Sequence, residues 1–191
     1  MAGRQANVIT PGMLRRMLGY ARRSRYPRRN RVIVLLAVKA GLRACEIAGL
    51  EWSMVLDGRG SVGWSLSVWD AIAKKRSGRR IPIHWDLRRA LIELSEETIR
   101  FGPIVCSERG GPMTPNSIVN WFVVMFAELG VHGCSSHSGR RTFITAAARK
   151  LHRTGASLRD VQLLVGHRSI ETTQAYIDGH TEAQHRLVRL I

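Results

Sequence analysis

Residues 31–50 read RVIVLLAVKAGLRACEIAGL, and this stretch decides most of the fold. The unbroken apolar run that follows its first arginine has a length that suits a buried helix, and Gly41 provides a helix stop. The next residues predict a second, short helix over 44–50, with Arg43 at its start and Glu46 three positions later on the same helix face. By itself, this pair fits either a local surface ion pair or an arginine that grips a phosphate while the carboxylate orients it.

Further helices are predicted on both sides of this stretch. Thr10 and Pro11 form a cap-then-proline signal, and the amphipathic segment 12–23 that follows carries arginines on its polar side. Downstream, the hydrophobic periodicity predicts helices over 86–99, 114–129, 137–153, 158–165 and 170–177. The tail, residues 180–191, fits one more helix.

The segment between residues 53 and 83 has a different texture. Glycine-containing turn signals interrupt it, residues 64–69 alternate roughly between apolar and polar, and residues 79–83 indicate another short strand. We expect a three-stranded antiparallel sheet with a basic turn, residues 74–78, between its second and third strands. The predicted fold class is therefore α+β, mainly α, with one small sheet.

Composition bounds the class of protein. The 191 residues suffice for one compact domain, and 30 Lys and Arg against 14 Asp and Glu give a formal net charge of +16. Such an excess favours a polyanionic partner, nucleic acid ahead of an anionic membrane surface. The sequence has no apolar run long enough to span a bilayer and no signal-peptide core. Cys45, Cys106 and Cys134 are too widely spaced for a disulfide frame or a metal knuckle, so we expect reduced thiols and a cytoplasmic location.

Two further segments carry residues suited to acid–base chemistry. Lys74, at the tip of the predicted hairpin, could swing into a cleft and protonate a leaving oxygen, or could belong to a solvated basic turn. His137 and Arg140 are neighbours on a predicted helix, where one could relay a proton while the other holds a phosphate. A structural histidine beside an exposed arginine fits the same spacing.

The last candidate segment runs from Gly166-His167 to Tyr176, nine residues after the histidine. A phenol is a weak nucleophile at its usual pKa of about 10, so it needs a base, or nearby positive charge that stabilises phenolate. The cationic residues of the other three segments could supply both. A tyrosine that simply packs against a helix is the alternative for this residue alone.

Together, the four segments resemble the tyrosine recombinase, or phage integrase, family. Its members carry an arginine in a G-L-R-x-x-E-x-x-x-L stretch, a hairpin lysine, H-x-x-R, and then G-H with a tyrosine nine residues after that histidine. This chain has the same elements in the same order: Gly41-Leu42-Arg43 with Glu46 and Leu50, Lys74, His137 with Arg140, Gly166-His167, and Tyr176. The resemblance spans residues 10–176.

The resemblance implies a mechanism. Tyr176 would attack the scissile phosphate to form a 3′-phosphotyrosine and free a 5′-hydroxyl, and attack by another strand's 5′-hydroxyl would reverse the step. Arg43 and Arg140 would clamp the non-bridging oxygens, and Lys74 would protonate the leaving oxygen. Because these cations would take the charge-neutralising role that metals have in other nucleases, no metal and no cofactor is expected.

The resemblance also implies supporting roles and leaves two positions open. His137 would act as acid or base toward the tyrosine hydroxyl, His167 would hydrogen-bond the phosphate, and Glu46 would support the first arginine. Lys75 lies next to the hairpin lysine and could exchange roles with it. Gly139 stands where the family commonly has a large apolar residue, so we expect a locally weaker helix and weaker packing there.

The partners that the resemblance implies are double-stranded DNA, a homodimer on each site, a homotetramer at synapsis and, as a further candidate, accessory DNA-bending proteins. The side chains expected to contact DNA are Arg15, Arg16, Arg22, Arg23, Lys75, Arg76, Arg141 and Arg168. For those on the first helix, a merely solvated basic face is the alternative. The apolar side chains of the tail would dock on a neighbouring subunit or pack on their own domain; they are Leu187, Val188, Leu190 and Ile191.

The helical DNA-binding domain that usually precedes the catalytic part of the family does not fit before residue 11. We therefore expect a single catalytic domain over 1–191, without a core-binding domain, that acts as a site-specific recombinase of the integrase or invertase type. A fragment of a longer protein fits the sequence equally well. Two other functions remain open. One is a type IB topoisomerase-like enzyme, which shares the tyrosine chemistry, and the other is a catalytically silent integrase remnant that only binds DNA.

Overall fold

The apolar run at residues 32–38 forms the central helix of the fold. The computed structural model of the chain describes residues 6–74, 76–176 and 188–189. Within them the elements are, in chain order, α1 (Pro11–Arg23), α2 (Pro27–Lys39), α3 (Ala44–Ala48), a 3-10 turn (Trp52–Met54), β1 (Ser65–Val68), β2 (Arg79–Pro82), α4 (Trp85–Ser95), α5 (Pro115–Glu128), α6 (Ser136–Arg149), α7 (Leu151–Thr154), α8 (Leu158–Val165) and α9 (Ile170–Gln174). Helix α2 contacts α1, α4 and α6, and every residue from 32 to 38 is consequently buried.

The helix starts follow their capping residues. The Thr10 hydroxyl accepts the Met13 N–H at the start of α1, and the Thr114 hydroxyl accepts the Ser117 N–H at the start of α5. The cap-then-proline prediction at Thr10 is therefore confirmed, and Thr114 with Pro115 forms the same arrangement at the start of α5. The predicted helix over 137–153 is instead divided, since α6 closes with a tight i to i−3 hydrogen bond at Lys150 and α7 is a separate turn.

The sheet has two strands in the described part of the chain, so the prediction of three was wrong. Strands β1 and β2 pair antiparallel, with Leu66 opposite Ile81. Residues 57–61 form a tight turn in which the Asp57 backbone N–H donates to the Ser61 carbonyl at 2.8 Å. This turn leaves room for only one isolated bridge, between residues 56 and 62, where the remaining strand was expected.

Helix α6 crosses α2 unusually closely at Gly139. A Cβ at this position would lie 2.7 Å from the Ala37 Cβ and 2.9 Å from its carbonyl carbon. The expectation of weaker packing at Gly139 was therefore wrong, because the missing side chain is what lets the two backbones approach. The same crossing brings the start of α6 beside the residues that follow α2.

The buried apolar residues form two separate clusters. The larger one surrounds α2 and takes in the sheet, α4 and α5. The smaller one consists of Ile144, Val161 and Val165, with Phe143, Ala147, Leu151 and Tyr176 packed against it. Helix α8 therefore contributes Val161 and Val165 to the small cluster, and its Leu164 packs against the main one.

The predictions on membrane helices, cysteines and the tail concern the remaining features of the fold. Among the described residues, no helix combines the length and apolar character needed to cross a bilayer, and all three cysteines are free thiols. In the predicted tail, Val188 is exposed. The other apolar tail residues, Leu187, Leu190 and Ile191, lie outside the described residues.

Candidate active site

Arg43 and Glu46 are held together at the start of α3. The Arg43 backbone N–H donates to Glu46 Oε2 at 2.9 Å, and its guanidinium Nη1 lies 3.2 Å from Glu46 Oε1. Glu46 is completely buried, so this is not the surface ion pair that the segment alone also allowed. Arg43 is only partly buried and keeps one side open to solvent.

Arg79 is the main partner of Glu46, and the sequence analysis missed it. Its Nη1 and Nη2 each lie 2.9 Å from one carboxylate oxygen, and its Nε donates to the Leu164 carbonyl at 2.9 Å. Burial raises the pKa of the Glu46 carboxyl, but the hydrogen bonds and charge of Arg79 hold that pKa below its usual value. Strand alternation was the available signal, because Arg79 lies on the same face of β2 as the buried Ile81.

Arg140, on α6, is fixed by two backbone carbonyls. Its Nη1 donates to the Gly41 carbonyl at 2.7 Å and its Nη2 to the Val165 carbonyl at 2.6 Å. Burial, followed by the charge of Arg43, lowers the pKa of Arg140 to about 9. Because a guanidinium has more N–H donors than these two bonds use, Arg140 can still donate to an anion.

His167 follows Gly166, the left-handed residue (φ 65°) that ends α8. Its Nδ1 lies 3.0 Å from Thr173 Oγ1, and its ring stacks on Tyr176 with centroids 5.7 Å apart. Burial, followed by the charge of Arg140 and then of the other arginines, lowers the pKa of His167 to about 4. The imidazole is therefore neutral at neutral pH, and its hydrogen bond with the Thr173 hydroxyl fixes the orientation of the ring.

The predicted catalytic side chains meet in two adjoining clefts. The first has a volume of about 470 Å³ and is lined, among others, by Arg43, His137, Arg140, His167 and Tyr176. The second shares Arg43 and His167 with the first and adds Lys74. The six positions come from four separate stretches of sequence, and the fold brings them to one place.

The predicted DNA-contacting residues outside α1 have different environments. Arg141 lines the first cleft, but its Nη1 donates to the Ala6 carbonyl at 2.9 Å. Arg168 lines the second cleft, and Arg76 is exposed in the hairpin turn. Lys75 lies outside the described residues.

The arginines of α1 are not at the clefts. Arg15 and Arg22 line a groove beside the first half of α2, whereas Arg43, which lines both clefts, follows the end of that helix. Arg16 donates to the Leu129 carbonyl, and Arg23 is exposed. Contact of these residues with DNA stays a prediction.

The charge of the site suits a phosphate. Three guanidinium groups, those of Arg43, Arg79 and Arg140, stand near a single carboxylate, Glu46. Positive charge fixed in a partly buried site stabilises the charge that develops on a phosphoryl group during transfer. Among the residues that the structure describes, no group of three His, Cys, Asp or Glu side chains could hold a metal ion.

The mainly helical fold and this cleft of arginines, histidines and a tyrosine place the chain in a known class of proteins. The sequence profile of the phage integrase family matches residues 7–183, which is most of the chain, and the chain belongs to that family.

Individual relatives agree with this assignment. The tyrosine recombinase XerC of Lactobacillus delbrueckii subsp. bulgaricus is 30% identical over 169 residues, covering 84% of this chain and 53% of the relative. The integrase of the Tn1549 transposon, solved in complex with a circular intermediate DNA, has a TM-score of 0.75 at 19% identity and covers 100% of this chain and 67% of that one. A lambda integrase dimer bound to a COC′ core site has a TM-score of 0.67 at 21% identity, over 90% of this chain and 48% of that one.

The structural likenesses confirm the predicted fold class, a mainly helical catalytic-domain fold with a small antiparallel sheet. The chain spans about half the length of the curated relatives that it matches.

Proposed function

We propose that this chain is the catalytic domain of a site-specific DNA recombinase, of the integrase or invertase type, which cuts and rejoins double-stranded DNA through a phosphotyrosine at Tyr176. One observation carries the proposal. The phenol of Tyr176 lines the same cleft as the guanidinium groups of Arg43 and Arg140, although each residue comes from a different element.

The proposed cleavage step uses residues that line the two clefts. The Tyr176 hydroxyl attacks the scissile phosphorus, an oxygen–phosphorus bond forms, and the bond from phosphorus to the 5′ oxygen breaks. His137 takes the phenol proton, and Lys74 gives a proton to the leaving 5′ oxygen. The product is a 3′-phosphotyrosine and a free 5′-hydroxyl, so the energy of the broken phosphodiester is kept in the new one.

The remaining residues stabilise the phosphate during the step. Arg43 and Arg140 hold the non-bridging oxygens, and His167 hydrogen-bonds to one of them. Arg140 can do this while it keeps both of its carbonyl partners. Attack by the 5′-hydroxyl of another strand on the phosphotyrosine reverses the bonding changes and completes strand exchange.

We propose the partners and the location that the likeness to the tyrosine recombinases implies. Double-stranded DNA is the substrate, bound in the cytoplasm by a homodimer on each site and a homotetramer at synapsis, with accessory DNA-bending proteins where the sites require them. The net charge of +16 supports a DNA partner. A DNA-bound integrase and a DNA-bound integrase dimer among the structural relatives support the first two steps of this assembly.

Suicide substrates test the proposal. Nicked duplexes built from the DNA that flanks the gene lose the leaving strand after cleavage, which traps the covalent product. With a chelator present, we expect a protein–DNA adduct that survives denaturation, and we expect Tyr176→Phe to bind the same DNA without forming it.

The other outcomes separate the alternatives. DNA binding without any adduct from the unaltered protein would indicate a silent remnant, and supercoil relaxation without strand exchange would indicate a topoisomerase-like enzyme. An adduct that forms equally well with Tyr176→Phe would remove this residue as the nucleophile.

A further inference from the structure

Arg79 connects three secondary-structure elements around the cleft. It lies on β2, and its side chain is only 5% exposed. Two of its nitrogens bind both oxygens of Glu46, on α3, and the third binds the Leu164 carbonyl near the end of α8. One side chain thus joins the hairpin that carries Lys74, the helix that carries Glu46, and the turn that carries His167.

Two arginines share the single carboxylate of Glu46, and they share it unequally. Arg79 makes two contacts of 2.9 Å in the bidentate geometry that is strongest for this pair. The Arg43 side chain makes one contact of 3.2 Å, and it remains 19% exposed. Removing Arg79 would leave a buried carboxylate whose remaining side-chain partner is Arg43, and a buried charge attracts its partner strongly.

We propose that Arg79 is a positioning residue for strand cleavage: it occupies Glu46, so that the guanidinium of Arg43 is presented to the scissile phosphate instead of being drawn into the carboxylate. The inference rests on the proposed function. Arg79 acts through Arg43 and touches neither the phosphate nor the nucleophile.

The packing around Arg79 leaves a second route by which its loss could act. A Cβ on Gly166 would lie 3.0 Å from Arg79 Cδ and 3.1 Å from the Ser77 carbonyl. The Arg79 side chain therefore packs next to the residue before His167, and it belongs to the same hairpin as Lys74. A useful test has to separate an effect through Arg43 from an effect through the lysine or from a loss of folding.

The first test compares single-turnover cleavage by saturating protein on the half-site where the unaltered protein forms its adduct. We expect Arg79→Met to slow cleavage by about a hundredfold, comparable to the loss of one fixed charge donor, with unchanged DNA affinity. The cleavage rate of Arg79→Lys should lie between those of Arg79→Met and the unaltered protein, because lysine restores the positive charge without the bidentate geometry of the guanidinium group. The matched control is Arg80→Met, whose arginine is exposed and binds Ser65, and we expect it to stay within about twofold of the unaltered protein.

Two modified substrates identify the residue through which Arg79 acts. A neutral methylphosphonate at the scissile position needs less charge neutralisation, so it should narrow the difference between Arg79→Met and the unaltered protein. A bridging sulfur in place of the 5′ oxygen leaves without protonation, so it should leave that difference unchanged. Rescue by the sulfur instead would overturn the proposal in favour of Lys74. A defect that neither substrate relieves would overturn it in favour of a structural role.

The last test needs no DNA. The carboxyl carbon of Glu46 is followed by NMR during an acid titration of the unaltered protein, of Arg79→Met and of Arg43→Met. We expect the pKa of Glu46 to rise more in Arg79→Met than in Arg43→Met. The opposite order would show that Arg43 is the main counter-charge and would overturn the inference. Failure of the unaltered protein to form any adduct would refute the proposed function. The titration would then still show whether Arg79 or Arg43 is the main counter-charge of Glu46.

Discussion

Thr173 is completely buried and lies on α9, with its hydroxyl 3.0 Å from Nδ1 of His167. Because this hydrogen bond fixes the orientation of the imidazole that lines the cleft, we expect Thr173→Val to slow strand cleavage by about tenfold while DNA binding is kept. Thr173→Ser keeps the hydroxyl and should stay close to the unaltered protein. The measurement is the single-turnover rate on a trapping substrate, and equal rates for the valine and serine variants would contradict the assignment.

The low pKa of His167, about 4, gives a second prediction at this scale. The folded state takes up this proton less readily than an unfolded chain, in which a histidine titrates near pH 6.5. This contribution to stability is therefore complete above about pH 6.5 and is lost as the pH falls toward 4. NMR of the ring carbons should show a midpoint well below 6.5, and a midpoint at or above 6.5 would contradict the burial described here.

At the scale of elements, the crossing of α6 over α2 depends on one missing methyl group. Gly139→Ala would place a Cβ 2.7 Å from that of Ala37, so we expect it to lower the free energy of unfolding by about 1–3 kcal/mol. Gly19→Ala, in α1, is the matched control, because its Cβ would meet only the flexible end of Arg23 at 3.6 Å. That change should stabilise by about 0.5–1 kcal/mol. Urea denaturation measures both, and a stabilising Gly139→Ala would refute the close crossing.

The elements also show what could be predicted from the sequence and what could not. The buried run after Arg31 and the capped starts of α1 and α5 are local signals, and the structure has helices at all of them. The Arg79–Glu46 contact joins positions 33 residues apart, and neither neighbourhood shows a sign of the other. An alternation rule could mark Arg79 as facing inward, but it could not supply the partner.

The predictions of a third strand and of weak packing at Gly139 were wrong for related reasons. Among the described residues the third strand is missing because the flanks of the tight turn at 57–61 pair with each other in a single bridge. The turn signals in the sequence do not show with which segment those flanks pair. Gly139 was judged by its helix propensity, whereas its role is set by a backbone on another helix. Local sequence reasoning thus gave the elements and most of the proposed site residues, and it missed the contacts that hold those residues in place.

For the whole molecule, the excess of positive charge in the cleft predicts stabilisation by anions. We expect inorganic phosphate to raise the melting temperature more than chloride at equal ionic strength, since a ligand that binds only the folded state stabilises it. In Arg140→Met, the melting temperatures in phosphate and in chloride should become equal. In Arg22→Met, whose arginine is away from the cleft, the higher melting temperature in phosphate should remain.

The same effect depends on pH in a stated direction. Since the pKa of Arg140 is lowered to about 9, the folded protein has lost half of this charge near that pH and most of it at pH 10. The phosphate-specific rise in melting temperature should therefore be smaller at pH 10 than at pH 7. An effect that is unchanged at pH 10, or retained in Arg140→Met, would place the phosphate elsewhere on the surface.

The small second cluster of buried residues has a consequence for how the protein loses activity on heating. Tyr176 packs on Ile144, Val161 and Val165, whereas Arg43 and Glu46 belong to elements anchored in the main core. A unit that buries so little apolar surface opens at a lower free energy than the whole domain. Transient sub-global opening would therefore carry the nucleophile away from its phosphate pocket while most of the protein stays folded, and inactivation by mild heat would precede melting.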